Sequence, residues 1–468
     1  MRLAAAVLAV LILSCAPASA ADRTATPSTF ASVFAAAQPG DTILLAAGSY
    51  GTKTELAKPG PARVTIKPQP GATATMSVLY GGGSTNLGNV TYEGLTIPSL
   101  EIRQGGTVRN VTFTGNDFTG CAVVNTWQAA NMNLLIDGNT FLDTARSECS
   151  YDGRLAFPQR NETVQSGITV SGNLFAGGTA DGILNGSNGT RIVGNEFRDI
   201  IQPSSGAEAH SDSIQLYGSK NTVIQGNYVH GSTVVIMAPD GGDHEVIIDN
   251  VFVGTAVYRP AIQLGAHQGT RFEHNTVRNL NVHMDSKGNG TPSRDGILRD
   301  NVMMNASFNL TNGDGCTGCT VTNNLMGGAI FTGGSDPLTY AGHKLAIGSP
   351  GVAAATDGTD QGARIAGSPD PDPTPTPDPT PTPTPSPEPT PDPTPTPTPT
   401  PEPGYHPACE PDCDQVITDL RTENARKADE LAAMTASRDA WKAHAEKAES
   451  QVARMKAKAD EQITIAQE

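Results

Sequence analysis

Positive charge is scarce in this chain. Its 468 residues carry 31 Lys and Arg against 47 Asp and Glu, a formal net charge of −16. Binding to a phosphate backbone runs on an excess of cations, so nucleic acid is excluded as the main partner. An acidic glycan is not excluded, because a local basic groove can sit on an acidic body. Aromatics are few, at 5%, whereas Gly and Pro number 50 and 35, as turn-rich repeats require. The apolar run Leu3–Leu13 is too short to span a membrane, and no transmembrane span is expected.

That run follows Arg2 and precedes Ala-Pro-Ala-Ser-Ala20, so residues 1–20 read as a secretory signal with cleavage after Ala18-Ser-Ala20. A second reading makes Ile12-Leu-Ser-Cys15 a lipoprotein site, with lipid attached at Cys15. The expected location is secreted or cell-surface, periplasmic or extracellular, with a virion-associated protein as the alternative. The other six Cys fall as Cys121/Cys149, Cys316/Cys319 and Cys409/Cys413. An even number after export suggests disulfides.

What is abundant is one phrase, apolar-x-apolar-x-Gly/Asp/His-Asn-x-Phe/Val. It recurs from Val111–Phe118 to Val321–Met326 and places Asn at 116, 139, 173, 195, 227, 250, 275, 301 and 324. Most gaps are roughly 22–26 residues, with two longer ones that imply insertions; self-similarity at this period means a solenoid. Each unit cannot bury its apolar face alone and must stack on its neighbours. The apolar residues alternate with polar ones and are rich in Val, Ile, Thr and Phe, which is strand chemistry with no helical stripe. Asn at a bend tolerates left-handed backbone, and identical Asn residues about 4.8 Å apart in successive coils would form a ladder. A second strand precedes each phrase, as in Asp181-Gly-Ile-Leu, Asp212-Ser-Ile-Gln, Val234-Val-Ile-Met and Pro260-Ala-Ile-Gln. Three short parallel strands per turn give an all-β fold, a right-handed parallel β-helix.

On these residues the sequence resembles the pectate-lyase-like β-helix superfamily. Segment 34–50 strengthens the resemblance, as it looks like the entry to such helices: a short capping helix, a Pro-Gly-Asp turn, a first strand and Ala-Gly-x-Tyr. The resemblance covers about residues 25–366 and speaks for fold rather than chemistry. The Trp-x-Asp-His and Arg-x-Pro-x-x-Arg blocks of true pectate lyases are missing. So are the Asn-Thr-Asp and Asp-Asp patterns of polygalacturonases and the signatures of alginate and chondroitin lyases.

Domain boundaries follow composition. Residues 21–367 form the β-helix. Residues 368–404 are Pro-Thr-Pro-Asp repeats, which build no core and favour extended PPII. Residues 405–468 end in an Ala-, Glu- and Lys-rich stretch without Pro or Gly from 414 onward, which should be helical. A heptad can be written from Leu420 to Ala459, although Asn424, Lys427 and Arg438 fall in its seam. A coiled coil that makes a homo-oligomer and a long single helix both remain open.

Ligands of a β-helix usually lie in a groove outside one parallel sheet. Alternation turns Ile183, Ile214, Ile236 and Ile262 inward and Leu184, Gln215, Met237 and Gln263 outward. His210, Asp212, Asp240, Arg259 and His267 lie around them, with Tyr217 two residues beyond Gln215. The candidate catalytic set is therefore His210, Asp212, Arg259 and His267, and the candidate substrate-binding set is Gln215, Tyr217 and Gln263. Asp181 and Asp240 offer oxygen ligands for Ca²⁺. Two mechanisms fit. A lyase needs a base beside a uronate carboxylate, His210 or His267, and a cation to neutralise that carboxylate, Arg259 or Ca²⁺. A hydrolase needs two carboxylates, for which Asp181 and Asp212 stand in adjacent coils; the alternative is that these two only cap turns. The function expected is polysaccharide recognition with lyase- or hydrolase-type cleavage. The alternative is a non-catalytic adhesin or phage tail-associated fibre.

Overall fold

The computed structural model describes residues 20–365, apart from 61, 82–87, 104–107, 127–129, 160–163, 203–210, 256–260, 287–289 and 312–314. The segment read as a secretory signal, with Cys15, the Pro/Thr tract, the tail with Cys409 and Cys413, and His210 and Arg259 all lie outside the described residues.

The described chain is a parallel β-solenoid. A 13-stranded sheet runs along one side, and two further ladders join in a 21-stranded sheet. All the strand ladders are parallel, each strand pairing with its counterpart one coil away. Period-two alternation puts one apolar residue per coil inside each ladder. On the first sheet Ile136, Val170, Ile192, Ile224 and Ile247 stand in register, all fully buried. On the second face Phe118, Phe141, Phe175 and Phe197 stack with centroids 4.4, 4.6 and 4.8 Å apart. On the third face Ile183, Ile214, Ile236 and Ile262 fill the same role and are fully buried. The helix Phe30–Ala36 closes the N-terminal end, where Phe30 packs edge-on to Tyr50.

The Asn ladder forms as the repeat predicts. The Asn195 side-chain amide donates to the Val170 carbonyl at 2.9 Å and to Asn227 Oδ1 at 3.0 Å. Asn195 Oδ1 accepts both the backbone and side-chain N–H of Asn173. The same pattern runs from Asn116 to Asn324. The residue before each ladder Asn is left-handed, as at Gly194 (φ 65), Gly226 (φ 66), Asp249 (φ 59), His274 (φ 50) and Asp300 (φ 57). Only Gly adopts this backbone freely, with Asp, Asn and His next, which explains the Gly/Asp/His choice in the phrase.

The ladder ends at Asn324, and the chain then does something the repeat did not announce. Residues 327–365 turn back along the outside of the second face as a strap. The strap covers an outward row, Tyr228, Val251, Thr276 and Val302, with Ala363 and Ile365 over the first two and Phe331 and Leu345 over Val302. Polar pins hold it. Tyr340 Oη donates to the Asp249 carbonyl at 2.6 Å. The Arg364 guanidinium makes two bonds to Asp249 at 2.7 and 2.9 Å. Asp300, fully buried, accepts the Thr356 N–H. Deleting residues 369–468 is expected to leave the thermal melt unchanged, since the strap stays. Deleting 327–468 should lower it sharply, because Tyr228, Val251 and Val302 become exposed. Equal melts for the two truncations would refute the strap's role.

The strap also carries a pH dependence. His343 is 1% exposed. Its Nδ1 lies 2.8 Å from the Thr339 carbonyl and its Nε2 lies 3.2 Å from Arg278 Nη1. A neutral ring donates from Nδ1 and accepts at Nε2. Burial pushes the ring's pKa down to about 4, and the Arg278 charge works the same way. A group depressed in the folded state contributes stability above its unfolded value, near 6.5, that is lost as pH falls through the folded value. The strap should therefore loosen between about pH 6.5 and 4, by at most about 3 kcal/mol. Hydrogen exchange of residues 340–345 at both pH values reads this out. His343→Gln, which keeps a donor and an acceptor, should remove the dependence.

Candidate functional site on the third face

The third face presents one outward row, in register from coil to coil. It runs from Glu101 through Val123, Ala156 and Leu184 to Gln215, Met237, Gln263 and His283. Gln215, Met237 and Gln263 are part-exposed, as alternation predicts, and Tyr217, also part-exposed, follows at the end of its strand. Leu184 differs. It stands in the outward row yet is only 7% exposed, so the row is covered at its middle. Gln263 Nε2 donates to Asp285 Oδ1 at 2.8 Å, and Asp285 Oδ2 lies 3.8 Å from His283 Nδ1. His283 and Asp285 extend the row by one coil beyond the residues the sequence singled out. Their signal was weak, because Val282-His-Met284 carries no Ile-Gln pair.

His267 is not on this face. Ala266 takes left-handed backbone (φ 57), which turns the chain out of the strand Ala261–Gly265 and into the short strand His267–Gln268 of a separate four-stranded sheet. There the ring points into the solenoid and is fully buried. Its Nδ1 lies 3.1 Å from Thr270 Oγ1 and 3.3 Å from Glu245 Oε2, and its Nε2 lies 3.2 Å from the Ala238 carbonyl. A base inside the coil cannot reach a substrate outside it.

The two strand-starting carboxylates are fully buried as well. Asp181 Oδ1 accepts the Asp212 N–H at 2.9 Å, a coil-to-coil cap of the kind that competes with any catalytic use. They do not face outward as a hydrolase pair. Arg154, which the sequence reading passed over, is fully buried nearby. It donates to the Phe141, Ala176 and Ala180 carbonyls at 3.2, 2.8 and 3.3 Å. Burial lowers its pKa to about 10, while Asp143 and Asp181 oppose that shift.

Asp181 and Asp240 stand at opposite ends of their strands, Asp181 at the start of Asp181–Asn185 and Asp240 past the end of Val234–Ala238. Asp181 starts its strand, in line with Gly153 one coil back and, through Asp212, with Val234 further on. Asp240 lies in the turn that follows the strand Val234–Ala238. Among the described residues no group of three or more His, Cys, Asp and Glu gathers as ion ligands.

A groove of about 500 Å³ opens at the other end of the row, lined by Glu101, Arg103, Asn125, Glu148 and Tyr151 among others. A disulfide joins Cys121 to Cys149 beside it, and a second joins Cys316 to Cys319. The groove's sequence signal was the 34-residue step between Asn139 and Asn173, one of the two long gaps.

The family described as periplasmic copper-binding protein (NosD) matches residues 101–261, 161 of 468 residues. The solved structures that are similar include AlyGC, a PL6 family alginate lyase, at 13% identity and TM-score 0.47, covering 72% of this chain and 58% of that one. They also include a mannuronic acid specific polysaccharide family 6 lyase from human gut microbiota, at 12% and 0.43, covering 66% and 92%. Pectate lyase Pel9A is similar at 15% and 0.34, covering 73% and 96%. This chain thus spans less than two thirds of the first of these structures. No curated protein matches the sequence. Likeness at this level concerns the solenoid and carries no reaction with it. Among the described residues, no helix is long and apolar enough to cross a membrane.

Proposed function

We propose that this chain is an exported solenoid that binds polysaccharide along its third face and cleaves it at one edge of that face. The observation that carries this reading is the outward row Gln215, Met237, Gln263 and His283, one side chain per coil about 4.8 Å apart. Gln amides on an open parallel sheet give paired donors and acceptors at a regular spacing, which suits the hydroxyls of an extended glycan. The two disulfides support export, because they persist in oxidising compartments.

Cleavage, in this reading, rests on His210 and Arg259. They precede the strands Asp212–Leu216 and Ala261–Gly265 by two residues each. His210 takes the proton next to a uronate carboxylate, Arg259 neutralises that carboxylate, and the glycosidic oxygen leaves as the double bond forms. The burial of Asp181, Asp212 and His267 leaves fewer acids and bases at the surface and favours, as a second reading, an adhesin or phage fibre that binds without cutting.

One screen separates these readings. The mature protein is incubated with uronic and neutral polysaccharides while unsaturated-uronate absorbance, new reducing ends and binding are followed. His210→Ala should abolish turnover and spare binding. Gln263→Ala should weaken binding about tenfold, through the loss of its amide and of the Asp285 partner. Unchanged affinity in both Gln215→Ala and Gln263→Ala would remove the site from this face.

A further inference from the structure

We infer that the groove at Tyr151 is a second carbohydrate subsite that takes a neutral sugar ring, separate from the Gln215–Gln263 row. This inference rests on glycan recognition by the third face. Tyr151 is 44% exposed, and among the described residues it is the one aromatic among the exposed large hydrophobic side chains. In a chain with so few aromatics, an outward ring in a groove calls for a ligand with an apolar face and polar edges. A pyranose has both, and Tyr presents an apolar body with a polar tip.

The ring is pre-positioned. It sits in an insertion between the strands Thr140–Leu142 and Gly153–Phe157, and insertions in solenoids map to loops on one face, often the binding face. The Cys121–Cys149 disulfide staples this loop to the preceding coil. Arg146 pairs with Asp152 at 2.8 Å, and the Arg146 N–H donates to Thr179 Oγ1 at 3.1 Å. Three ties on so short a loop remove the ordering cost that a free loop would meet on binding.

The charge around the ring selects the sugar. Glu101 and Arg103 pair with each other at 2.8 Å. Glu148, exposed on the rim, then leaves the groove with a net negative charge that repels a uronate carboxylate and accepts sugar hydroxyls. From the Glu101 position to Gln215 the row advances four coils, about 19 Å. A short oligosaccharide reaches one subsite, and a long one that passes over the covered stretch at Ala156 and Leu184 reaches both.

The test is calorimetric titration of the wild-type protein and Tyr151→Ala with neutral oligosaccharides of two to eight units and with uronate oligomers of the same lengths. Matched thermal melts check folding, which an exposed side chain should not disturb. The expected result is a loss of about tenfold in affinity for the long neutral oligomers, no change for disaccharides bound at the Gln row, and retention in Tyr151→Phe. The Cys121→Ser, Cys149→Ser double variant should lose part of the same increment, because the ring is no longer held. Wild-type binding that Tyr151→Ala leaves unchanged at every length overturns the subsite. A larger effect on uronate than on neutral oligomers overturns the neutral assignment. No binding of any oligomer by the wild type overturns glycan recognition itself, and the subsite with it.

Discussion

Replacing Asn195 with Ala is expected to cost about 4 kcal/mol of stability. The side chain is 1% exposed and holds four bonds. Its removal takes a donor from the Val170 carbonyl and the acceptor from the Asn173 backbone N–H and from one N–H of the Asn173 amide, whose other N–H still donates to the Ile136 carbonyl. Each orphaned buried group costs about 1–3 kcal/mol, partly relieved by local movement. Asn195→Asp should be at least as damaging, since it swaps a donor for an acceptor and buries a charge between Asn227 and Val170. Urea unfolding followed by circular dichroism gives the comparison, with Thr322→Ala on the exposed last coil as the control near zero. If Asn195→Ala behaved like that control, the ladder would be a by-product of the fold rather than a support of it.

Phe175→Ala should be of similar size, about 3–5 kcal/mol. The ring is fully buried and stacked on both sides, 4.6 Å from Phe141 and 4.8 Å from Phe197. Deleting it leaves a void with coil above and coil below, which the stiff ladders cannot collapse. Phe175→Leu should cost only about 1 kcal/mol, because most of the volume remains. In a solenoid the damage is local before it is global, since each coil touches only its neighbours. Amides of the strands Thr140–Leu142 and Glu196–Arg198 should therefore exchange faster than those near the N-terminal cap. Uniform acceleration along the chain, or equal costs for Ala and Leu, would contradict this picture.

Both predictions rest on features legible in the sequence, and the candidate site was less so. The outward row at Gln215 and Gln263 followed from alternation alone, because those two strands are regular. His267 did not follow, because alternation assumes an unbroken strand and Ala266 turns the chain within one residue. Asp181 and Asp212 looked alike as acids and as caps. Only their burial, and the bond from the Asp212 N–H to Asp181, show which environment each has. The Tyr151 groove showed in the sequence only as the long step between Asn139 and Asn173. It depends on a covalent tie between Cys121 and Cys149, and pairings of this kind are set in space rather than by spacing.

By itself the sequence determined the repeat and everything that repeats with it. The Asn positions, the left-handed residue before each, the inward Ile and Phe lines and the parallel pairing are local choices made again in every coil. Periodic local chemistry has one consistent answer, which is stacking. The tertiary structure alone decided whatever occurs once. The strap that returns over Tyr228, Val251 and Val302, the inward turn of His267, the covered Leu184 and the stapled Tyr151 loop each bring together residues far apart in the chain. No period relates those residues, so their contacts depend on where the finished solenoid leaves apolar surface to cover and polar groups to satisfy.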